Sequence, residues 1–129
     1  MSIDPENEFV YLTGDGRGTV IPGGPAFWSR PEQELEGFGR GWLITQFVCT
    51  QDWASWEMHP AAEEFVYLLD GEVEFLLDLP SGIQGSRLVD RGAVLVPRGV
   101  WHTARVFKPS RMLFVTMGAG TRHKAANGA

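Results

Sequence analysis

WEMHPAAEEFVYLLDG, residues Trp56 to Gly71, sets side chains of metal-ligating type inside an apolar strand pattern, and the fold follows from how it is read. Asp70-Gly71 lies between two apolar runs and predicts a two-residue type I′ turn, because both central positions of that turn require positive φ. With the turn there, Leu69 pairs with Glu72, Leu68 with Val73, Val66 with Phe75 and Glu64 with Leu77, and paired residues share a face. That face reads Glu64, Val66, Leu68, Val73, Phe75, Leu77, one carboxylate among apolar side chains.

An ionised carboxylate on a buried face needs a cation, a metal or several hydrogen bonds, since its uncompensated burial is too costly. Candidates lie just upstream. Glu57 and His59 are two apart and point the same way on a strand, opposite Trp56 and Met58. A slip of one residue would turn Glu63 inward instead of Glu64, but it would also invert the whole apolar pattern. GAVLVPRGVWH, Gly92 to His102, reads as a short buried strand, a Pro-x-Gly turn over Pro97 to Gly99, and a new strand near Trp101. There His102, Ala104 and Val106 share a face opposite Trp101, Thr103 and Arg105, which sends His102 inward.

The two segments together resemble the paired motifs of the cupin superfamily, G-x5-H-x-H-x3–4-E-x6-G and G-x5-P-x-G-x2-H-x3-N. His59, Glu64 and Gly71 keep the first spacing, and Pro97, Gly99 and His102 keep the second. Glu57 stands where the first motif has a histidine, Val106 where the second has asparagine, and Gly92 is one residue close to Pro97. The resemblance implies an all-β, cupin-like double-stranded β-helix or jelly-roll barrel, with the core roughly over residues 40–117 of a single domain, 1–129, and loose N- and C-terminal tails.

Glu57, His59, Glu64 and His102 would supply two imidazoles and two carboxylates, enough charge to neutralise a divalent ion. That donor set suits Fe, Mn, Ni or Zn without choosing among them. A metal-free reading has His59 and His102 bonded to Glu57 and Glu64. Trp53 and Trp56 flank the first motif as candidate pocket walls or dimer anchors, and Arg98 in the Pro-x-Gly turn is a candidate anion contact. The resemblance implies a metal-dependent enzyme on a small organic molecule, an oxygenase, isomerase or lyase; the alternative is a ligand-binding or sensory barrel without turnover.

Composition agrees with that class. Sixteen glycines and eight prolines in 129 residues suit short strands and many turns. The formal charge of −5 leaves no basic stripe for nucleic acid. Without a signal-peptide pattern or a long apolar run, a cytoplasmic, membrane-free protein is expected. The single cysteine, Cys49, reads as a core residue. Phe9 to Leu12 and Thr19 to Ile21 read as a hairpin around a glycine-rich loop. Pro22 to Phe38 reads as an irregular connection anchored by Phe27 and Trp28, and Leu79 to Ser86 as a polar tip. Few or no helices are expected. Outward aromatic residues, Phe65, Tyr67 and Trp101 among them, predict a homodimer, and His123 falls in a tail expected to be mobile.

Overall fold

A computed structural model describes residues 2–126. The described residues form β1 (Glu8–Leu12), β2 (Gly18–Pro22), a 3-10 turn (Pro25–Ser29), α1 (Glu32–Phe38), β3 (Trp42–Cys49), β4 (Ser55–Met58), β5 (Glu64–Leu79), β6 (Gly82–Val89), β7 (Gly92–Val96), β8 (Trp101–Thr116) and β9 (Arg122–Ala125). Every strand pairing is antiparallel. None of the described helices is long and apolar enough to cross a membrane.

The long strands β5 and β8 pair with each other from Phe65↔Val115 to Asp78↔Trp101 and serve two sheets at once. Their outer halves belong to a sheet in the order β2-β1-β3-β8-β5-β7. Their other halves belong to one in the order β9-β4-β8-β5-β6. The two sheets face each other over a core of Val66, Leu68, Val73, Phe75, Met112 and Phe114. Fully burying one such side chain stabilises by about 1.5–3 kcal/mol.

The predicted turn at Asp70-Gly71 does not form. β5 runs straight through it, with register shifts between Leu68 and Val73. The inward face is nevertheless the predicted one, from Glu64 at 4% exposed to Phe75 at 0%. Passing from even residues (Glu64, Val66, Leu68) to odd ones (Val73, Phe75, Leu77) requires a change of phase. A two-residue turn and a bulge both supply it. Here the bulge wins because Ser110, wholly buried, locks it: Glu72 N–H donates to Ser110 Oγ at 3.0 Å, and Ser110 Oγ donates to the Lys108 carbonyl at 2.7 Å. Gly71 lies at φ 112, and a Cβ there would collide with Ser110.

Other expectations also shift. The turn-rich tip reduces to Pro80-Ser81, because Gly82, at φ 119, already starts β6. The connection after β2 carries the 3-10 turn and α1, which starts behind Pro31 with Glu32 and Glu34 in its first turn. Phe27 is buried there with Phe9 and Leu43, whereas Trp28 stays half exposed. β7 is only partly covered, with Leu95 exposed, and Val48 on β3 faces solvent. The hairpin read over Phe9 to Ile21 forms, with β1 pairing β2 and also β3, whereas the C-terminal segment expected to be mobile holds β9, which pairs β4 from Ser55↔Ala125 to Met58↔Arg122.

Gly71→Ala is expected to destabilise by roughly 2–4 kcal/mol, the sum of left-handed backbone strain and overpacking against Ser110. Gly99→Ala, at φ 76 but in open space, should cost only about 1–2 kcal/mol. Urea midpoints of the two variants measure the difference.

Candidate metal centre

β4 and β8 meet at a single pair, Glu57↔His102, which brings a carboxylate and an imidazole together. His59 lies just past β4, its carbonyl accepting Gly99 N–H at 2.9 Å across the Pro-x-Gly turn. Glu64 opens β5, and its Oε2 accepts the Thr116 hydroxyl from the end of β8. Glu57, His59 and His102 bring ligand atoms within 4.8 Å of one another, and Glu64 Oε1 stands beside both imidazoles. His59 Nε2 and His102 Nε2 lie 3.4 and 3.2 Å from Glu64 Oε1, and 3.8 and 3.9 Å from Glu57 Oε1. Two donors about 2.1 Å from one ion are separated by about 3.0 Å in cis octahedral positions and about 3.4 Å in a tetrahedron.

The outer hydrogen bonds fix what those atoms are. His102 Nδ1 is 3.1 Å from the Val100 carbonyl, which only accepts, so Nδ1 carries a proton. His59 Nδ1 is 2.7 Å from Thr121 Oγ1, whose own hydrogen is committed to the Gly118 carbonyl, so His59 Nδ1 is the donor too. In the neutral rings, both Nε2 atoms therefore aim lone pairs at two carboxylate oxygens. Although close, the groups are not aligned for hydrogen bonds. His59 Nε2, Glu64 Oε1 and His102 Nε2 are buried without any partner. With both rings neutral the cluster has acceptors and no donor, a gap that a cation at its centre fills, as does a proton on His102 Nε2 facing Glu64 Oε1 at 3.2 Å.

The sequence matches no family model and no curated protein. Solved structures do match it. HppE with Fe(II) and the substrate (S)-1-HPP aligns at 16% identity and TM-score 0.50, over 58% of this chain and 42% of that one. A cupin superfamily protein from Desulfitobacterium hafniense aligns at 21% and 0.50, over 58% and 65%. Hydroquinone 1,2-dioxygenase from Sphingomonas sp. TTNP3, with 4-hydroxybenzoate bound, aligns at 20% and 0.50, over 66% and 60%. The fold is cupin-like. The match spans less than half the length of the HppE chain.

Within this cupin-like barrel the donor cluster opens into a cavity of about 820 Å³. Trp53 lines it, edge-on to both His102 and Phe75, with its backbone N–H bonded to the Ala104 carbonyl. Trp56 and Arg98 do not line it. Alternation turns Trp56 away from Glu57, and Arg98 is exposed in its turn. Cys49 faces the cavity, and burial pushes its thiol up, so it is held protonated and is no nucleophile.

Three neighbours of the cluster escape the sequence reading: Thr116, Thr121 and His123. His123 is exposed, but β9 sets its Nε2 3.1 Å from Glu57 Oε2 at the cavity rim. The one available signal was the two-residue spacing of Thr121 and His123, a strand face hidden in a glycine- and alanine-rich segment.

Burial by itself would raise the Glu64 carboxyl, but His102 and His59 beside it outweigh that and hold it at about 2. Burial would lower His102, and the Glu64 carboxylate overrides it and raises His102 above 6.5. In chelated, metal-free protein the Glu64 contribution to stability is complete above its unfolded pKa of roughly 4.5 and is lost as pH falls toward 2. The His102 contribution is complete below roughly pH 6.5 and is lost as pH rises through the folded value. Thermal melts in EDTA should therefore peak between roughly pH 4.5 and 6.5, and Glu64→Gln should flatten both limbs.

Proposed function

We propose that this chain is a metal-dependent enzyme acting on a small organic molecule, with Glu57, His59, Glu64 and His102 holding one divalent transition ion. The observation that carries this reading is the set of three buried, partnerless atoms on His59, Glu64 and His102. Two neutral imidazoles and two carboxylates match the charge of Fe, Mn, Ni or Zn in the divalent state. Such an ion supplies Lewis acidity, or electrons for reaction with oxygen when it is redox-active.

The chain's own residues divide the remaining work. Glu57, His59, Glu64 and His102 would hold the ion, which would supply the Lewis-acid or redox chemistry at the cavity wall. Trp53 and Phe114 wall the cavity beside it, and His123 Nε2 stands 3.1 Å from Glu57 Oε2 at the cavity rim. Oxygenase chemistry draws support from the folds of the Fe(II) enzyme HppE and of hydroquinone 1,2-dioxygenase. The fold also serves isomerases and lyases, so the reaction rests on analogy.

A homodimer is part of the proposal. An apolar row crosses the outer face of one sheet, Leu95, Phe65, Val115, Ile44, Val10 and Val20, each residue paired with the next. Its two ends and Phe65 are exposed. Leu95→Glu should turn a dimer into a monomer in light scattering, and a wild-type monomer would overturn this part.

Protein purified without chelators should carry about one equivalent of transition metal by elemental analysis. His59→Ala and His102→Ala should lose it while keeping the β-sheet circular dichroism spectrum. Full occupancy in both variants overturns the ligand assignment, and failure of wild-type protein to take up any of the four ions overturns the reading. His123→Ala should keep the ion but bind it about 10-fold more weakly, with His123→Gln, still a donor to Glu57, restoring most of the affinity.

A further inference from the structure

We infer that the cavity selects neutral or cationic ring-bearing molecules and rejects anions, an inference that rests on the proposed use of this cavity as the substrate site. Its volume falls in the range of about 300–1,000 Å³ that holds small ligands. Its walls are aromatic: Phe27, Trp28, Phe47, Trp53 and Phe114 all face it. Trp28 stands edge-on to Phe27 at 4.9 Å and is 50% exposed, so one indole face is free to stack on a planar guest.

The charge of the lining is one-sided. Glu32 and Glu36 from α1 stand with Glu57 and Glu64 around the cavity, and no Lys or Arg lines it. The nearby aromatic cluster already attracts a cation on another side: the Arg30 guanidinium lies 5.3 and 5.6 Å from the Phe27 and Phe38 rings and pairs with Glu34. A divalent ion on Glu57, Glu64 and two neutral imidazoles leaves that centre with no net charge. An entering anion would then give up its hydration and find only the His123 imidazole, already engaged by Glu57 at 3.1 Å, in return. A neutral ring loses little water, and an ammonium group gains aromatic faces and the carboxylates of α1.

Three probes of one shape test this: 2-naphthol, 2-naphthylmethylamine and 2-naphthoate, titrated by calorimetry and ligand-observed NMR into protein of measured metal content. The first two should bind at least about tenfold more tightly than 2-naphthoate. Trp28→Ala should weaken 2-naphthol about fivefold or more, placing the guest on the indole. The Glu32→Gln, Glu36→Gln double variant should narrow the gap by about threefold. Gln keeps the carbonyl that accepts Gly120 N–H from Glu36, so the loop stays pinned. Equal or tighter binding of 2-naphthoate in metal-loaded protein overturns the charge selection and leaves the metal assignment standing. No binding of any probe overturns the aromatic selection as well. The expected order in protein that takes up no metal supports the selectivity on the lining alone while overturning the metal assignment.

Discussion

Two imidazoles and two carboxylates meet between the sheets, and with both rings neutral no donor stands among the four facing atoms; the rest of the structure is arranged around that imbalance. Three of the four atoms are buried without a partner. Leaving one buried polar group unsatisfied costs about 1–3 kcal/mol. No packing advantage accounts for such a cluster, because apolar residues of similar size would cost nothing there. The outer contacts sharpen the imbalance, since the Val100 carbonyl and the Thr121 hydroxyl fix the ring protons on the side away from the cluster.

Holding the four atoms in place depends on register. His102 opposes Glu57 on one side and Leu77 on the other, so its depth follows from where β8 sits between β4 and β5. Glu64 lies at the opposite end of β5 from Leu77 and still shares its face only because the bulge at Gly71 changes phase midway. Ser110 is the matching device on β8. Its hydroxyl occupies the space that a side chain at position 71 would take. The bulge, far from the donor atoms in sequence, is therefore what lets one strand feed Glu64 to one sheet and Phe75 to the core of the other.

Much of this was legible from residue pattern. The inward face of β5, the turn before His102 and the placing of His59, Glu64 and His102 on buried positions follow from period-two alternation and from the cost of a lone buried carboxylate. The route between the two halves of β5 was not legible, because Asp70-Gly71 serves a hairpin or a bulge equally well and the choice lies with Ser110, thirty-odd positions away. Of the two roles open to Trp56, pocket wall and dimer anchor, the first does not hold, because adjoining Glu57 on a strand means facing away from it. α1 and β9 were missed for a common reason. Their stability comes from what they dock against, as short segments with weak intrinsic preference gain little on their own.

The donor set divides into a firmly held half and a dependent half. His102 and Glu64 stand on the long central strands, His102 paired on both sides and Glu64 with Val96, and both almost fully buried. Glu57 belongs to a four-residue strand that touches β8 through one residue pair and is otherwise held by β9. His59 has left the strand and relies on Gly99 N–H and Thr121 for its orientation. Such short, partly exposed pairings open at lower free energy than core strands. The geometry of half the cluster is thus set by the last strand among the described residues, and a divalent ion bound across both halves would tie β4 and β9 to the core through bonds stronger than those that hold them now.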